Sequence, residues 1–412
     1  MGMEQFFKKR YTLARFREGP LGSCIYAYAE QLAEQGYARD SARCMFGVLG
    51  DFCRWFAEGG APVHEIDQET LARYLRYRHS RRRPTRNDAG YLAGFLRFLV
   101  IEGAVAANRV PAVTPVCRLK GEFRRYLQDE RGLAQATIRG YVDTAEHFLE
   151  GVYGNGEVEL RRLQAADVIA FVQREAKRVR ANRARVVTNA LRSLLQYLRH
   201  RGLIAADLRA SVPVVANWSM ASIPKTLSPD QVQRLLDQCD RSTDQGSRDY
   251  AILLLLARLG LRRGEIADLL LDDLDWETGE LRIRGPAGRC DRLPMPCEVG
   301  EALAAYLQRG RPTCESRHVF IRTRAPRREL GSAAGLRSMV CRTLERAGLD
   351  PPVKGTHLLR HSLATQMLKD GASLAEIGEI LRHRQQRTTT IYAKVDLVSL
   401  RTLALPWPGG VR

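Results

Sequence analysis

Along most of this chain, apolar residues recur every three or four positions, and glycines mark where the runs end. This spacing predicts amphipathic helices, because it places the apolar side chains on one helical face. Two stretches, at about 22–107 and 116–207, look like divergent copies of one helical module, although convergent helical patterning would look the same. In each copy one glycine separates the first two helices and another ends the last helix. These glycines are Gly36 and Gly103 in the first copy, and Gly132 and Gly202 in the second.

A third region opens with a clear helix start. Ser228 is the predicted N-cap, Pro229 stands at the first helical position, and Gln231 completes a capping box. Beyond it the pattern stays helical except at GELRIRGPAGRCDRLPMP (279–296), which predicts a β-hairpin. The predicted fold is mainly α: helical N-terminal modules followed by a mixed, mostly helical domain with a small β-hairpin. The predicted domains are 1–110, 115–212 and 226–412.

The net charge of +19 and the isoelectric point near 9.9 favour a polyanionic partner. Arginines supply most of this charge, and they cluster in both helical modules. We expect such clusters to contact DNA phosphates, which fix position more than sequence. The alternative is that they only solvate helix faces. The candidate DNA-binding residues are Arg81, Arg82 and Arg83 in the first module and Arg178, Arg180, Arg183 and Arg185 in the second.

The sequence predicts a cytoplasmic protein without membrane contact. Its longest apolar run, Ala251–Ala257, is too short to span a bilayer. The N-terminus shows no secretory signal, and the nine cysteines form no CxxC pair. These features favour free thiols in a reducing compartment.

Four short patterns near the C-terminus carry chemistry. Arg262 and Glu265 lie three positions apart, as do His357 and Arg360, so each pair shares a helical face. His383 and Tyr392 follow, nine positions apart. Taken singly, these patterns are more typical of a surface ion pair, chance spacing and a packed tyrosine.

In this order and spacing, the patterns resemble the tyrosine recombinase (phage integrase) family, and the resemblance covers roughly residues 115–405. It implies a DNA strand-exchange enzyme that acts through a 3′-phosphotyrosyl intermediate and needs neither metal nor ATP. The second helical module is similar to the family's core-binding domain, and the first resembles an extra DNA- or partner-binding domain. The implied catalytic residues are Arg262 and Arg360 as phosphate clamps, His357 and His383 as assisting groups, Tyr392 as nucleophile and Glu265 as support.

Elementary chemistry agrees with these roles. A tyrosine with an ordinary pKa near 10 needs help to attack at neutral pH, and two guanidinium groups stabilise both the phenolate and the pentacoordinate transition state. Two of the features that other mechanisms need are missing from the sequence: an Asp/Glu cluster for two metals and a GxxxxGK[ST] phosphate loop. No cofactor is therefore predicted.

Two positions depart from the family pattern. Arg382 stands where the family usually has a glycine before the third-motif histidine, which is the milder change, and the other departure is in the hairpin. The family usually has a hairpin lysine directly after the glycine aligned with Gly285, as the acid for the leaving 5′-hydroxyl. Here that residue is Pro286. Arg284, Arg289 or Arg292 is the candidate substitute, although arginine is a poor proton donor. The alternatives are another donor, or an impaired enzyme.

The resemblance implies double-stranded DNA as partner and a homotetramer on two DNA sites, or assembly with related recombinase subunits. The tail after Tyr392 is expected either to dock on a neighbouring subunit or to pack as a plain helix. Three other functions remain open at this point: a non-catalytic accessory subunit, a type IB topoisomerase and a basic transcription repressor. Integration, excision and transposition are all compatible with the sequence.

Overall fold

The computed structural model describes residues 2–85, 87–105, 115–154, 158–179, 181–215, 223–285, 290–330 and 333–395. Pro286, Arg289 and Arg180 lie outside the described residues, as does the tail after Val395. The described parts of 2–105 and 223–395 form one compact unit, and those of 115–215 form the other. The mainly α architecture predicted from the sequence is confirmed, while the three domain boundaries stay a prediction.

The first helical module is built on aromatic side chains. Its helices pack around a core that includes Phe46, Phe52 and Phe95, each fully buried. Gly36 and Gly103 adopt positive φ angles of 75° and 72°, as expected for the glycines that end helices. The helices are α1 (Gly2–Phe6), α2 (Arg10–Arg17), α3 (Gly22–Glu34), α4 (Arg39–Glu58), α5 (Gln68–Arg81) and α6 (Asp88–Ile101).

The second module follows the same order. A helix that ends in a π-type turn at Tyr126–Glu130 leads through Gly132, with φ 57°, into a long second helix. The predicted helix, glycine turn and helix are therefore confirmed in both copies. The helices are α7 (Pro115–Arg125), α8 (Gln135–Tyr153), α9 (Ala165–Arg178) and α10 (Ala181–His200).

The region after residue 223 has the predicted start. Ser228 Oγ accepts from the backbone N–H of Gln231, and the Gln231 side chain accepts from the Ser228 N–H, so the capping box is confirmed. The apolar run Ala251–Ala257 is buried throughout, as its composition requires. The helices before the sheet are α11 (Pro229–Asp237), α12 (Asp244–Arg258) and α13 (Arg263–Ala267).

A small antiparallel sheet interrupts the helices, which confirms the predicted hairpin. Its strands are β1 (Leu274–Asp275), β2 (Glu280–Arg284) and β3 (Cys290–Pro294), in the order β1-β2-β3. Arg282 pairs with Arg292 across the hairpin, and Ile283 pairs with Asp291. Because side chains alternate between the two faces, Arg282, Arg284 and Arg292 point away from the side that carries Asp291.

The last helices form the platform for the site. A small core of Ala364, Ile377, Leu381 and Tyr392 is separate from the larger core around α12. Tyr392 lies in a closing 3₁₀ turn, Thr390–Val395. The helices are α14 (Cys297–Ala305), α15 (Ala333–Arg346), α16 (Thr356–Lys369), α17 (Leu374–Ile380) and α18 (Gln386–Thr389). Within the described ranges, none of the helices is both long and apolar enough to cross a membrane.

Candidate active site

The short segment Leu381–His383 brings both predicted clamp arginines together. Arg262 Nη2 donates to the carbonyl of Arg382 at 2.9 Å. Arg360 donates to the carbonyls of Leu381 and Gly260. Two arginines that stand 98 positions apart in sequence therefore share one backbone anchor.

Arg262 is oriented by the acidic residue that the sequence paired with it. Arg262 occupies the N-cap of α13, and its backbone N–H donates to Glu265 Oε2 at 2.8 Å. Its Nη1 donates to Glu265 Oε1 at 2.7 Å, so one carboxylate fixes both the backbone and the guanidinium. About a third of the Arg262 side chain stays exposed, which leaves donors for an incoming anion.

Arg382 adds a third guanidinium that the motif analysis did not assign to the site. Its Nη2 donates to Glu265 Oε2 at 2.7 Å, and both side chains are 7% exposed. Its Nε lies 4.0 Å from Asp291 Oδ2 and makes no hydrogen bond within the described part of the chain. Arg382 also has a positive φ of 54°, a conformation that favours glycine.

Glu265 is ionised at neutral pH despite its burial. Burial alone would raise the pKa of this carboxyl. The charge of Arg382 and the hydrogen bonds from Arg262 outweigh that effect and hold the pKa below its ordinary value. The carboxylate therefore links two arginines that would otherwise repel each other.

Arg360 is nearly enclosed. It is 4% exposed, and burial together with the charges of Arg262 and Arg382 lowers its pKa to about 10. The guanidinium still carries its charge at neutral pH. Arg360 lies on α16, between the residues that follow α12 and the Leu381 turn. Its guanidinium donates to one carbonyl from each of these segments, so its buried donors are paired.

Tyr392 lies between two histidine rings in this cluster. It is 1% exposed, and its hydroxyl lies 2.9 Å from Nδ1 of His361. The His383 ring stacks on it at 6.5 Å between centroids with planes 7° apart, and His383 Nδ1 contacts Thr389 Oγ1 at 2.7 Å. Burial raises the pKa of Tyr392, while Arg360 opposes that rise. The phenol is therefore neutral in this state.

Both flanking histidines are neutral as well. Burial, and then the nearby His357 and Arg360, lower the pKa of His361 to about 4. Burial and Arg360 lower the pKa of His383 to about 4. His361 Nδ1 can therefore accept a hydrogen bond from the tyrosine hydroxyl. His357 lies one helical turn away, with ring centroids 6.3 Å apart, and is exposed at the surface.

The hairpin arginines are held in ion pairs. Arg284 Nη2 donates to Asp273 Oδ1 at 2.8 Å, and Arg292 Nη1 donates to Glu280 Oε2 at 3.3 Å. Arg289 and Pro286 lie outside the described residues. The role of these arginines as lysine substitutes stays a prediction.

Comparison with known proteins now decides the family. Residues 225–397 match the phage integrase family, and residues 121–202 match the phage integrase N-terminal SAM-like domain. The protein y4rA of Sinorhizobium fredii, described as an integrase/recombinase, is 46% identical over 409 residues and covers 99% of both chains. The chain belongs to the phage integrase family.

Other relatives carry the tyrosine recombinase name. XerD of Listeria monocytogenes is 30% identical over 287 residues, which span 68% of this chain and 95% of XerD. Among solved structures, the XerH recombinase bound to difH DNA aligns with a TM-score of 0.54 at 17% identity, over 83% of this chain and 98% of XerH. The Tn1549 transposon integrase aligns with a TM-score of 0.51 at 18% identity, over 70% of this chain and 98% of the integrase chain. These two likenesses show the shared fold.

The chain is therefore a site-specific tyrosine recombinase, a DNA breaking and rejoining enzyme. The structure brings together Arg262, Glu265, Arg360, His383 and Tyr392, and it places His357 at the rim. No three His, Cys, Asp or Glu side chains gather as metal ligands would in the described ranges.

Two residues of the candidate site lie outside the four sequence patterns. His361 follows the His-x-x-Arg pattern that His357 and Arg360 complete, yet its position four residues after His357 places it on the same helical face. Arg382 was noted only as a replacement for a family glycine. Its contact with Glu265 joins residues 117 positions apart, and no local pattern reveals such a pair.

The arginines of the two helical modules have varied surroundings. The Arg81 guanidinium lies over the Tyr77 ring at 4.6 Å, and Arg82 pairs with Asp51 at 3.0 Å. Arg178 is mostly exposed and lies 3.5 Å from Glu175. Three more are exposed, namely Arg83, Arg183 and Arg185, while Arg180 lies outside the described residues.

Proposed function

We propose that Tyr392 attacks the scissile DNA phosphate and forms a 3′-phosphotyrosyl intermediate, with Arg262 and Arg360 holding the phosphate. The observation that carries this proposal is the convergence of the two arginines and the tyrosine on one backbone segment, Leu381–His383 and its neighbours. Preorganised guanidinium donors stabilise the charge that develops on the equatorial oxygens. Losing one such donor typically costs about a hundred- to a thousand-fold in rate.

The structure corresponds to a resting state in this scheme. The Tyr392 hydroxyl is buried and bonded to His361, so it cannot reach a phosphate until the 3₁₀ turn Thr390–Val395 shifts. During attack the hydroxyl proton passes to a neutral imidazole, the oxygen–phosphorus bond forms, and the bond to the 5′ oxygen breaks. That oxygen takes up a proton from water. Positive charge beside it comes from Arg289, or from Arg284 or Arg292 once that arginine has left its ion pair with Asp273 or Glu280 and turned toward the Asp291 side of the hairpin. His357 and His383 assist at the phosphate.

We assign double-stranded DNA as the partner, with assembly as a homotetramer on two sites or with related recombinase subunits. The solved relatives XerH and Tn1549 integrase are described in complex with DNA, which supports this assignment. The arginines Arg81, Arg82, Arg83, Arg178, Arg180, Arg183 and Arg185 are proposed to contact phosphates. Integration, excision or transposition in the cytoplasm, at the nucleoid, is the corresponding cellular role.

Covalent trapping tests the proposal. The substrate is a pool of nicked duplexes. Cleavage near the nick frees a short 5′-hydroxyl strand, which diffuses away, so the DNA cannot be rejoined and the protein stays attached. The expected result is a protein–DNA band that survives denaturation, that Tyr392→Phe abolishes, and that Tyr250→Phe retains. Tyr250 is a matched control because it is a partly buried tyrosine of the same domain whose ring lies 4.8 Å from the guanidinium of Arg241, outside the site. No band with the unaltered chain would favour an accessory, non-catalytic subunit.

A type IB topoisomerase would use the same covalent chemistry without choosing a site. The repeated helical modules and their arginines favour site-specific assembly instead. Supercoiled plasmid of unrelated sequence separates the two activities. The recombinase assignment predicts no relaxation of that plasmid under conditions that trap the covalent complex.

A further inference from the structure

The two helical modules agree element by element. In each, a long helix is followed by a short 3₁₀ turn, a 14-residue helix and a last helix. The 3₁₀ turns are Val63–Glu65 and Leu160–Arg162. Only the second module matches the family's SAM-like domain, whose match begins at residue 121.

Buried positions agree as well, at a constant offset within each helix. Ala42, Phe46, Leu49 and Phe52 on α4 correspond to Ile138, Val142, Ala145 and Phe148 on α8, 96 positions later. Leu71 and Tyr74 on α5 correspond to Val168 and Phe171 on α9, 97 positions later. Leu92, Phe95, Phe98 and Leu99 on α6 correspond to Leu191, Leu194, Tyr197 and Leu198 on α10, 99 positions later. All of these side chains are buried, so the two modules share one packing scheme.

The same offsets identify equivalent surface arginines. Arg43 on α4 corresponds to Arg139 on α8, and Arg81 at the end of α5 corresponds to Arg178 at the end of α9. All four are exposed. Other exposed arginines of the first module have no such counterpart: Arg76 and Arg97 correspond to Gln173 and Gln196.

Arg43 and Arg81 belong to one cationic face of the first module. Arg43 lines a hollow of about 510 Å³, and Arg81 lines a second hollow of about 270 Å³. The residues shared by both hollows are Asp51, Arg54, Arg78 and Arg82. Asp51 accepts from all three of these arginines. Glu18 and Glu58 also line the hollows and Asp88 pairs with Arg78, but the six lining arginines outnumber these four carboxylates and leave the face positive. Arg43, Arg54, Arg78, Arg81 and Arg82 are called the arginine face below.

We propose that the first module is a second SAM-like module and that its arginine face binds the phosphates of duplex DNA. This proposal rests on the proposed function, which already gives Arg81 and Arg82 phosphate contacts. It adds Arg43, Arg54 and Arg78 and joins all five in one preformed face. Arginine forks suit phosphate oxygens, and the ion pairs with Asp51 hold the central guanidiniums in place before DNA arrives. The Tyr77 ring does the same for Arg81.

Salt-dependent binding of the full chain to a random-sequence duplex tests this face. The double variant Arg43→Glu/Arg81→Glu is compared with Arg76→Glu/Arg97→Glu, which makes the same change in net charge in the same module. Each phosphate contact contributes about 0.9 to the slope of log affinity against log salt. We expect the first variant to bind at least about tenfold more weakly with a slope smaller by about two, and the control to stay close to the unaltered chain. Equal losses in both variants would overturn the proposal.

Two further measurements keep the result interpretable. Arg139→Glu/Arg178→Glu, the equivalent change in the second module, is expected to weaken binding in the same way, and thermal unfolding shows whether each variant is folded. Covalent trapping is run in parallel. Normal trapping by the unaltered chain, with unchanged binding by Arg43→Glu/Arg81→Glu, would refute the proposal for the first module and leave the proposed chemistry standing. Absent trapping would refute the proposed chemistry while the salt slopes still decide the arginine face.

Discussion

The Tyr392 hydroxyl lies 2.9 Å from Nδ1 of His361, on the helix that also carries Arg360. This contact occupies the hydroxyl that the proposed reaction needs, and burial keeps it away from solvent. His361 is neutral because its pKa is lowered to about 4, and in the tautomer with the proton on Nε2 its Nδ1 accepts from the hydroxyl. In this structure the proposed nucleophile is therefore buried and hydrogen-bonded beside the two arginines.

A double-mutant cycle measures this contact. His361→Leu leaves a buried hydroxyl without a partner, and Tyr392→Phe leaves the imidazole nitrogen without a donor. Each change is expected to lower the free energy of unfolding by about 1–3 kcal/mol, with a coupling of about 1 kcal/mol because both break the same bond. Denaturant unfolding of the four proteins supplies the values. Additivity within about 0.3 kcal/mol would show that the bond contributes nothing.

Replacing Arg382 by glycine separates backbone strain from electrostatics. Glycine relieves the positive φ of 54°, by about 1 kcal/mol, but removes the cation that balances Glu265. We expect Arg382→Gly to form the covalent complex at least about tenfold more slowly, since Glu265 then loses one of the two arginines that hold its carboxylate beside Arg262. Arg382→Lys is the control, because lysine keeps both the positive charge and the strained backbone, and it is expected to cleave at close to the unaltered rate. Cleavage by both variants at the unaltered rate would show that the third guanidinium is dispensable.

Stability should fall as the pH falls through the histidine range. His361 and His383 have folded pKa values of about 4, below their ordinary 6.5, so between these values the unfolded chain binds more protons than the folded chain. Their contribution is fully present above pH 6.5 and is lost as the pH approaches 4. Thermal unfolding midpoints at several pH values test this, with His361→Gln/His383→Gln expected to flatten the decline. The exposed His64→Gln serves as control, and an equally steep decline in all proteins would contradict the assignment.

The hairpin arginines offer a rate comparison. Arg292→Ala or Arg289→Ala is expected to slow cleavage more than Arg282→Ala if an arginine replaces the missing lysine. Arg282 and Arg292 are cross-strand partners on the same face of the hairpin, so their two variants remove the same side chain at the same level of the sheet. Single-turnover cleavage rates decide it. Equal rates for all three variants would exclude charge supplied from the hairpin.

Local patterns predicted much of this molecule. The Ser228 capping box, the hairpin at 279–296 and the glycine turns follow from short-range rules, and the structure has all of them. The arrangement of Arg262 and Glu265 also follows from their spacing of three residues.

What local rules missed depends on contacts across the chain. Composition alone places Arg78 in the arginine cluster of the first module, yet it pairs with Asp51 and the buried Asp88, 27 and 10 positions away. Arg382 acquires its role only because the Leu381–His383 turn folds back against α13. Neither pairing has a spacing that helical periodicity could reveal.

The most direct measurement of the central claim is the site of the covalent bond. After trapping on nicked DNA, nuclease and trypsin digestion leaves the peptide at 388–394, TTTIYAK, whose only tyrosine is Tyr392. Mass spectrometry is predicted to find a nucleotide on that tyrosine through a phosphodiester, and to find none with Tyr392→Phe. A nucleotide attached to any other residue, or its persistence in Tyr392→Phe, would contradict the account.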